Sequence, residues 1–271
     1  MNSVSFPMPQ VRTITSMQPL TWLVWGWRDM ARSGWVSMAH GVALTLAGAA
    51  IVAVAHQRFW LLAGALSGFM FIAPVLATSL YALSRALERN EVADTSVVLK
   101  TWLNWQDSHI NKWGNDYWCM FQFGALLALA ATGWVLTSAA LITLLAPVPI
   151  QGPIDFILHV VLAKEGWLFE IWLALGGVLA APMFASSVIA MPLLLDRRVT
   201  LMQAVQTSWQ AVLANPIPMA FWAAIIMIFT LLGLGSLLLG LVPVIPMLGH
   251  ASWYAYRDLV DVSGLPLRDS L

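Results

Sequence analysis

Residues 218–256 read PMAFWAAIIMIFTLLGLGSLLLGLVPVIPMLGHASWYAY, thirty-nine positions almost without polar interruption. As one helix rising 1.5 Å per residue they would extend about 58 Å, nearly twice a hydrocarbon core of about 30 Å. The chain must therefore turn back within the stretch, and Gly240–Pro243 is the place where glycine and proline allow it. That reading yields two spans, Pro218–Gly240 and Leu241–Tyr256. Four more apolar runs precede them: Ser37–Ala55, Trp60–Leu83, Met120–Leu145 and Trp167–Leu194. The pattern predicts an all-α, polytopic helical membrane protein with about six transmembrane helices arranged as three hairpins. One transmembrane domain is expected over 19–261, between an N-terminal tail (1–18) and a C-terminal tail (262–271).

Composition agrees. Hydrophobic residues make up 60% of the chain and charged ones 10%, far from the roughly 45–50% and 25% of soluble domains. The 13 basic and 13 acidic side chains balance, so no basic excess points to nucleic acid. Cys119 is the single cysteine, which excludes an intrachain disulfide, and no Cys/His cluster has zinc-site spacing. The first 36 residues lack a signal-peptide pattern, so the first span is expected to serve as its own signal-anchor.

Lysine and arginine set the orientation. With six spans, one face carries Arg12, Arg28, Arg32, Arg85, Arg89, Lys100, Lys112, Arg197, Arg198, Arg257 and Arg268. The other carries Arg58 and Lys164. The positive-inside rule then predicts a bacterial inner-membrane protein with both termini cytoplasmic. Tryptophans 22, 25, 27, 35, 102, 105, 113, 118, 209, 222 and 253 crowd the same side, where indole rings suit the headgroup layer.

Three segments on that side have helical amphipathicity, each ahead of a pair of spans. In TLMQAVQTSWQAVL, Leu201, Met202, Val205, Trp209, Val212 and Leu213 oppose Gln203, Gln206, Thr207 and Gln210, and Thr200 with Gln203 has capping-box spacing. In LTWLVWGWRDMAR, Leu20, Leu23, Val24, Trp27 and Ala31 oppose Thr21, Arg28 and Arg32. In SVVLKTWLNWQD, Val98, Leu99 and Trp102 oppose Ser96, Lys100, Asn104 and Asp107. All three are expected to pack on the bundle at the membrane surface.

The even-numbered spans share an ending. Aligning Pro74, Pro182 and Pro246 places Ala77, Ala185 and Gly249 three positions on, then Thr78, Ser186 and His250. Arg85 and Arg257 also correspond. With the amphipathic helix before each pair, this suggests three copies of one unit, about 19–85, 95–194 and 199–258. The shared polar position predicts a short polar side chain beside a proline-bent helix, bonded to a freed backbone carbonyl.

Few residues suggest chemistry. Ionisable side chains deep in a membrane are costly and invite a functional reading. Thr78, Ser186, His250 and Ser252 are grouped here as a candidate polar cluster. His40 and His250, at similar depth, are candidate axial haem ligands. Against both stands a structural role for His250, filling the same place as Thr78 and Ser186. Glu170 is expected near the outer boundary, in reach of Lys164. Asp155 and His159 share a helix face but are too few to hold a metal alone. Asp107, His109 and Asp116 are expected in a polar loop. Gly64 with Gly68, and Ser236 with Gly240, have small-xxx-small spacing for close helix contact within the monomer. No hydrolase, nucleotide or dinucleotide fingerprint is present.

The stretches GWRDMARSG (26–34), PVLATSLYALSRALERNE (74–91), MPLLLDRRVTLMQAVQTSWQAVLANPIPMAFWAA (191–224) and PMLGHASWYAYRDLV (246–260) resemble a bacterial family known as domain of unknown function 2189. The resemblance runs over about residues 18–261, and Asp107–Tyr117 and Pro147–Trp167 fit it poorly. It implies an integral inner-membrane protein with about six spans and no assigned activity. Asp196, Arg197, Asn215, Pro216, Gly249, His250, Tyr256, Arg257 and Asp258 stand where that family's motif residues stand. None carries a catalytic role.

The sequence thus predicts a non-enzymatic accessory, assembly or lipid-interacting protein, without cofactor or metal. Its partners would be the lipid bilayer and other inner-membrane subunits, with no nucleic acid and the oligomeric state open. The alternatives are a transporter of a small or lipidic solute with the polar cluster as its vestibule, and a haem-binding membrane protein.

Overall fold

The computed structural model describes residues 8–55, 58–110, 118–163 and 166–268. It is almost entirely helical. After strand β1 (Gln10–Val11) come α1 (Gln18–Ser33), α2 (Trp35–Ala55), α3 (Phe59–Leu76), α4 (Thr78–Glu88) and α5 (Thr95–Ile110). They are followed by α6 (Trp118–Leu145), the short α7 (Pro153–Phe156) with a π-helical turn at Ile157–Val161, α8 (Leu168–Ser187) and α9 (Ala190–Asp196). The chain ends with α10 (Leu201–Ala214), α11 (Pro216–Gly235), α12 (Leu241–Leu259) and β2 (Val260–Asp261). Among the described residues, four stretches are long and apolar enough to cross a membrane: Trp35–Ala55, Cys119–Leu145, Leu168–Asp196 and Pro216–Gly235.

Local chemistry explains the joints. Gly34 takes φ +58°, a left-handed value that ends α1 and lets α2 start one residue later. Thr200 caps α10 by accepting from Gln203 N at 3.2 Å, while the Gln203 side chain accepts from Thr200 N at 3.0 Å, so the capping box is present. Proline acts unevenly. Helix α3 contains Pro74 and gives way to α4 at Ala77, and α8 contains Pro182 and gives way to α9 near Ile189. By contrast, α12 contains Pro246 and stays continuous. The turn at 236–240 separates α11 from α12, a few residues before the Gly240–Pro243 stretch expected to carry the fold-back, and Pro243 lies in the first turn of α12, where its missing N–H costs no helical bond.

Two compact units result, where the sequence suggested one domain. The first comprises Met1–Thr45, Pro74–Phe123 and Ala185–Leu271; the second comprises Leu46–Ala73 and Gly124–Phe184. In the first, α12 is central. Gly26 of α1 and Gly41 of α2 both lie against its backbone: a Cβ on Gly26 would come within 2.5 Å of Met247 O, and one on Gly41 would strike Val242 O. Gly249 likewise leaves room for Leu80 of α4. Trp22 and Trp222 meet edge to face at 5.5 Å, and both are fully buried with Trp253 and Tyr256.

The second unit packs Ala55, Leu62, Ile142, Ile150 and Val160 around Trp172, whose Nε1 donates to Ser138 Oγ at 2.8 Å. Gly64 and Gly68 of α3 do mediate close helix contact within the chain, against Val135 and Ala131 of α6. Ser236 and Gly240 do not. Ser236 Oγ accepts from Gly240 N at 2.8 Å and donates to Gly233 O at 2.8 Å, so this pair closes the turn after α11 instead of joining two helices.

Candidate functional site

His250 lies on α12 four residues after Pro246, with no exposed surface. Gly249 beside it brings α4 close, and Gly26 and Gly41 bring α1 and α2 close, so the imidazole is met from three sides. Ser37 Oγ of α2 stands 2.7 Å from Nε2, with Ser33 Oγ of α1 at 3.5 Å, and Ser84 Oγ of α4 stands 2.8 Å from Nδ1. Ser84 donates to Asp29 Oδ2 at 2.7 Å, and Tyr254 donates to the same oxygen at 2.9 Å. Ser33 donates to the backbone carbonyl of Asp29 at 2.7 Å and lies 2.6 Å from Ser37 Oγ. The contacts form a closed ring: Asp29 side chain, Ser84, His250, Ser37, Ser33 and back to Asp29. All five residues are buried.

A hydrogen count constrains the ring. If Asp29 is ionised and Ser84 donates to it, Ser84 must accept from His250 Nδ1–H. A neutral imidazole then has only an acceptor at Nε2, which takes the hydrogen of Ser37. The hydrogen of Ser33 remains for two contacts, to Asp29 O and to Ser37. One further proton shared by Asp29 and His250 gives every contact its own hydrogen. Burial pushes in that direction, raising the Asp29 carboxyl above the usual carboxylate range against the pull of Ser84, Tyr254, Arg32 and Arg28.

Around this ring lie three carboxylates, each at or next to the end of a helix: Glu88 of α4, Asp196 of α9 and Asp258 of α12. A carboxylate is unfavourable at the negative end of a helix dipole unless other groups neutralise it. Each is supplied. Trp253 Nε1 donates to Glu88 Oε2 at 2.9 Å, and Arg257 pairs with Glu88 at 2.8 Å. Tyr256 donates to Asp196 at 2.8 Å, with Arg197 at 2.9 Å and Arg89 at 3.2 Å. Asp258 Oδ2 accepts from Trp22 Nε1 and Gln18 Nε2, both at 2.7 Å. Asn215 ties down the start of the chain, accepting from Ile14 N and donating to Arg12 O, each at 2.9 Å.

The candidate polar cluster is not brought together. Thr78 donates to Val75 O at 2.7 Å, a carbonyl inside the last turn of α3 rather than the one that Pro74 frees. Ser186 accepts from Trp209 Nε1 at 3.0 Å. Ser252 donates to Leu248 O at 2.8 Å within its own helix. Among the described residues, no hydrogen bond joins any of them to His250. His40 Nε2 bonds to Leu76 O at 2.9 Å. With His250 bonded through both ring nitrogens, this arrangement leaves it no lone pair for a haem iron.

The remaining candidates are peripheral. Asp155 accepts from Gln151 N at 3.1 Å, His159 and Glu170 are exposed, and no group of three metal-ligating side chains occurs among the described residues. Asp107 and His109 belong to α5 and not to a loop. Lys112, Asp116 and Lys164 fall outside the described residues.

Sequence reading singled out His250 but missed Asp29, Ser33, Ser37 and Ser84. A signal was available. Asp29, Ser33 and Ser37 recur every four residues, a polar stripe on one helical face across the joint between α1 and α2.

A family model described as a predicted integral membrane protein, DUF2189, matches residues 61–196. No curated protein and no solved structure matches the chain. The matched range holds PVLATSLYALSRALERNE, with Thr78, Ser84 and Glu88, and ends on Asp196; the histidine-bearing stretch 246–260 lies beyond it. With half of its length matched, this helical, membrane-spanning chain belongs to the DUF2189 family of integral membrane proteins, whose molecular activity is unknown.

Proposed function

We propose that the protein is a six-span bacterial inner-membrane protein with cytoplasmic termini, that it catalyses no reaction of its own, and that it acts as an accessory or assembly protein seated on lipid through α1, α5 and α10. The observation that carries this reading is the outward turn of the large apolar side chains on α1 and α10. Helix α1 buries Trp22, Gly26, Asp29 and Ser33 but leaves Leu20, Val24 and Trp27 exposed. Helix α10 buries Ala204, Thr207, Ser208 and Ala211, while Met202 and Leu213 are 65% and 69% exposed. The inward face of α10 is small and polar, that of α1 joins Gly26, Asp29 and Ser33 to Trp22 and Met30, and the leucine, valine, methionine and tryptophan side chains that both helices leave exposed suit an acyl–headgroup boundary. Arg28 and Arg32, also exposed, add attraction to anionic lipid. Helix α5 fits the same scheme, with Val97 and Val98 packed on Leu80 and Leu83 and Leu99 exposed.

Pairing across the first unit supports the span count. Arg12 with Asp261, Arg12 with Asn215, Arg257 with Glu88 and Arg89 with Asp196 each require their two residues on one side of the bilayer. An even number of crossings then separates 12 from 88, 89 from 196, and 215 from 261. Helices α2 with α3, α6 with α8, and α11 with α12 satisfy this as three hairpins, with α10 not crossing. With the prolines aligned, Glu88 and Asp196 fall at one position, which favours the repeat for the first two copies, while Asp258 falls two positions earlier. The absence of chemistry is inferred from the polar groups that converge here, because they are spent on one another. A transporter reading needs Thr78, Ser186 and His250 to line a vestibule, and their hydrogen bonds run elsewhere.

Spin labels at Val24→Cys and Leu213→Cys, in a Cys119→Ser background in lipid nanodiscs, test the seating. We expect both labels to be more accessible to lipid-soluble oxygen than to a water-soluble nickel chelate. The opposite ratio at both sites would remove the interfacial reading.

A further inference from the structure

In the first unit, beside β2, lies a cleft of about 340 Å³ lined by Arg12, Arg197, Arg257, Asp261, Ser263 and Gly264. We propose that this cleft is an anion site that binds a phosphate group, either on a lipid headgroup or on a small soluble phosphomonoester. Three guanidiniums and one carboxylate line the cleft, and Arg197 and Arg257 are also paired with Asp196 and Glu88, so the attraction for an anion rests on the guanidinium donors left over and not on a surplus of charge.

The arginines are held in place by groups that leave part of each fork unused. Arg12 gives Nη2 to Asp261 at 3.1 Å. Arg197 spends Nε on Asp196 at 2.9 Å and Nη1 on Leu265 O at 2.8 Å. Arg257 spends Nε and Nη2 on Glu88, at 2.9 and 2.8 Å. Nη1 of Arg12, Nη2 of Arg197 and Nη1 of Arg257 remain as donors not engaged in these bonds. Pre-oriented planar forks are the groups that match phosphate oxygens bidentately.

Asp261 does not close the site. Its carboxylate is drawn into a turn by Ser263 N at 2.9 Å, and hydrogen bonds from Ser263, then Arg12, hold it down at about 2. It therefore stays ionised and anchors Arg12 at the rim. Gly264, at φ +87°, adds no side chain that would cover the opening. The volume is at the small end of ligand clefts, about 300–1,000 Å³, which suits a single phosphate-bearing headgroup and not a macromolecule. Every residue of the cleft belongs to the first unit, and only binding of a lipid headgroup rests on the interfacial placement proposed above.

The test uses the full chain in mild detergent, with sn-glycerol 3-phosphate and inorganic phosphate as soluble probes against chloride and sulfate at matched ionic strength. Phosphatidylglycerol against phosphatidylcholine, by native mass spectrometry, is the lipid arm. We expect one phosphate source to raise the melting temperature or be retained selectively. Arg12→Gln should weaken it about tenfold, Arg257→Lys should weaken it less, and Lys100→Gln on α5 should leave it unchanged. Arg12 is half exposed, so its variant should melt normally without ligand; if it does not, Arg257→Lys decides the case. Retention of lipid alone identifies a headgroup, and response to soluble phosphate alone identifies a free ligand. Sulfate acting as well as phosphate, no response in either arm, or equal loss in Lys100→Gln overturns the proposal.

Discussion

Asp29 supplies both the first and the last contact of the ring around His250, through its carboxyl and its backbone carbonyl. Its folded-state pKa is raised, chiefly by burial. Folding therefore favours the protonated form. The stability this gives is fully present below the unfolded value of about 3.8 and is lost as pH rises through the folded value. An asparagine at this position presents a carbonyl to accept and an amide to donate, as a protonated acid does. We expect Asp29→Asn to melt at least as high as wild type near pH 8 and to flatten the pH dependence. Asp29→Ala leaves the hydroxyls of Ser84 and Tyr254 without their acceptor and should cost about 1–3 kcal/mol. Thermal unfolding of the three proteins between pH 5 and 8 is the check. An Asp29→Asn variant as damaged as Asp29→Ala would mean that the ring needs a carboxylate and that Asp29 does not carry the further proton. His250 was legible in the sequence because a histidine in an apolar run stands out. Its partners were not, because serine is unremarkable in a membrane helix and Ser37 lies 213 positions away.

Helix packing in the first unit depends on where backbones touch. Glycines that lie against another chain segment have to be separated from glycines that face open space. Gly26 is of the first kind, since an added Cβ would meet Met247 O at 2.5 Å and Ala251 N at 2.7 Å, both backbone atoms that cannot swing away. Gly177 of α8 is of the second kind, with nothing within 4 Å. Forcing α1 from α12 should cost about 1–3 kcal/mol. Removing a helix-interior glycine from an open site should be neutral or gain up to about 1 kcal/mol. Gly26→Ala should therefore lower the melting temperature in detergent while Gly177→Ala leaves it level or higher. Equal effects would mean that α1 does not rest on α12 as closely as this. The sequence disclosed part of this layer. GxxxG in α3 was readable because both halves sit on one helix. Gly26 and Gly41 were not, because each pairs with a helix two hundred positions on and carries no local motif. Ser236 and Gly240 had the right spacing but straddle a helix end, where a hydroxyl serves as a cap instead of a contact. Proline gave the same mixed result, with breaks soon after Pro74 and Pro182 and a continuous helix through Pro246, whose neighbours α1 and α2 press close on either side of it.

At the scale of the whole chain, the strongest constraint is the meeting of its ends. Gln10 and Val11 pair with Asp261 and Val260 in a two-stranded antiparallel ladder, and Arg12 N donates to Leu259 O at 2.8 Å. Backbone hydrogen bonds of this kind cannot be made across a bilayer, so residues 13 and 263 should share a side. Residue 151, which follows the third crossing of the proposed six, should lie opposite. In the orientation proposed above, the face with residues 13 and 263 is the cytoplasmic one, because it carries most of the arginines. Thr13→Cys, Gln151→Cys and Ser263→Cys, each exposed, placed singly in a Cys119→Ser background, make this measurable. A membrane-impermeant maleimide applied to bacterial cells with a permeabilised outer membrane should label Gln151→Cys alone, and disrupting the inner membrane should expose the other two. Labelling of Thr13→Cys and Ser263→Cys but not Gln151→Cys would keep the hairpins and reverse the orientation. Labelling of Thr13→Cys and Ser263→Cys on opposite sides would be the more damaging result. It would require an odd number of crossings, and the ladder, the Arg12–Asp261 pair and the arginine cleft beside them could not then exist in the membrane.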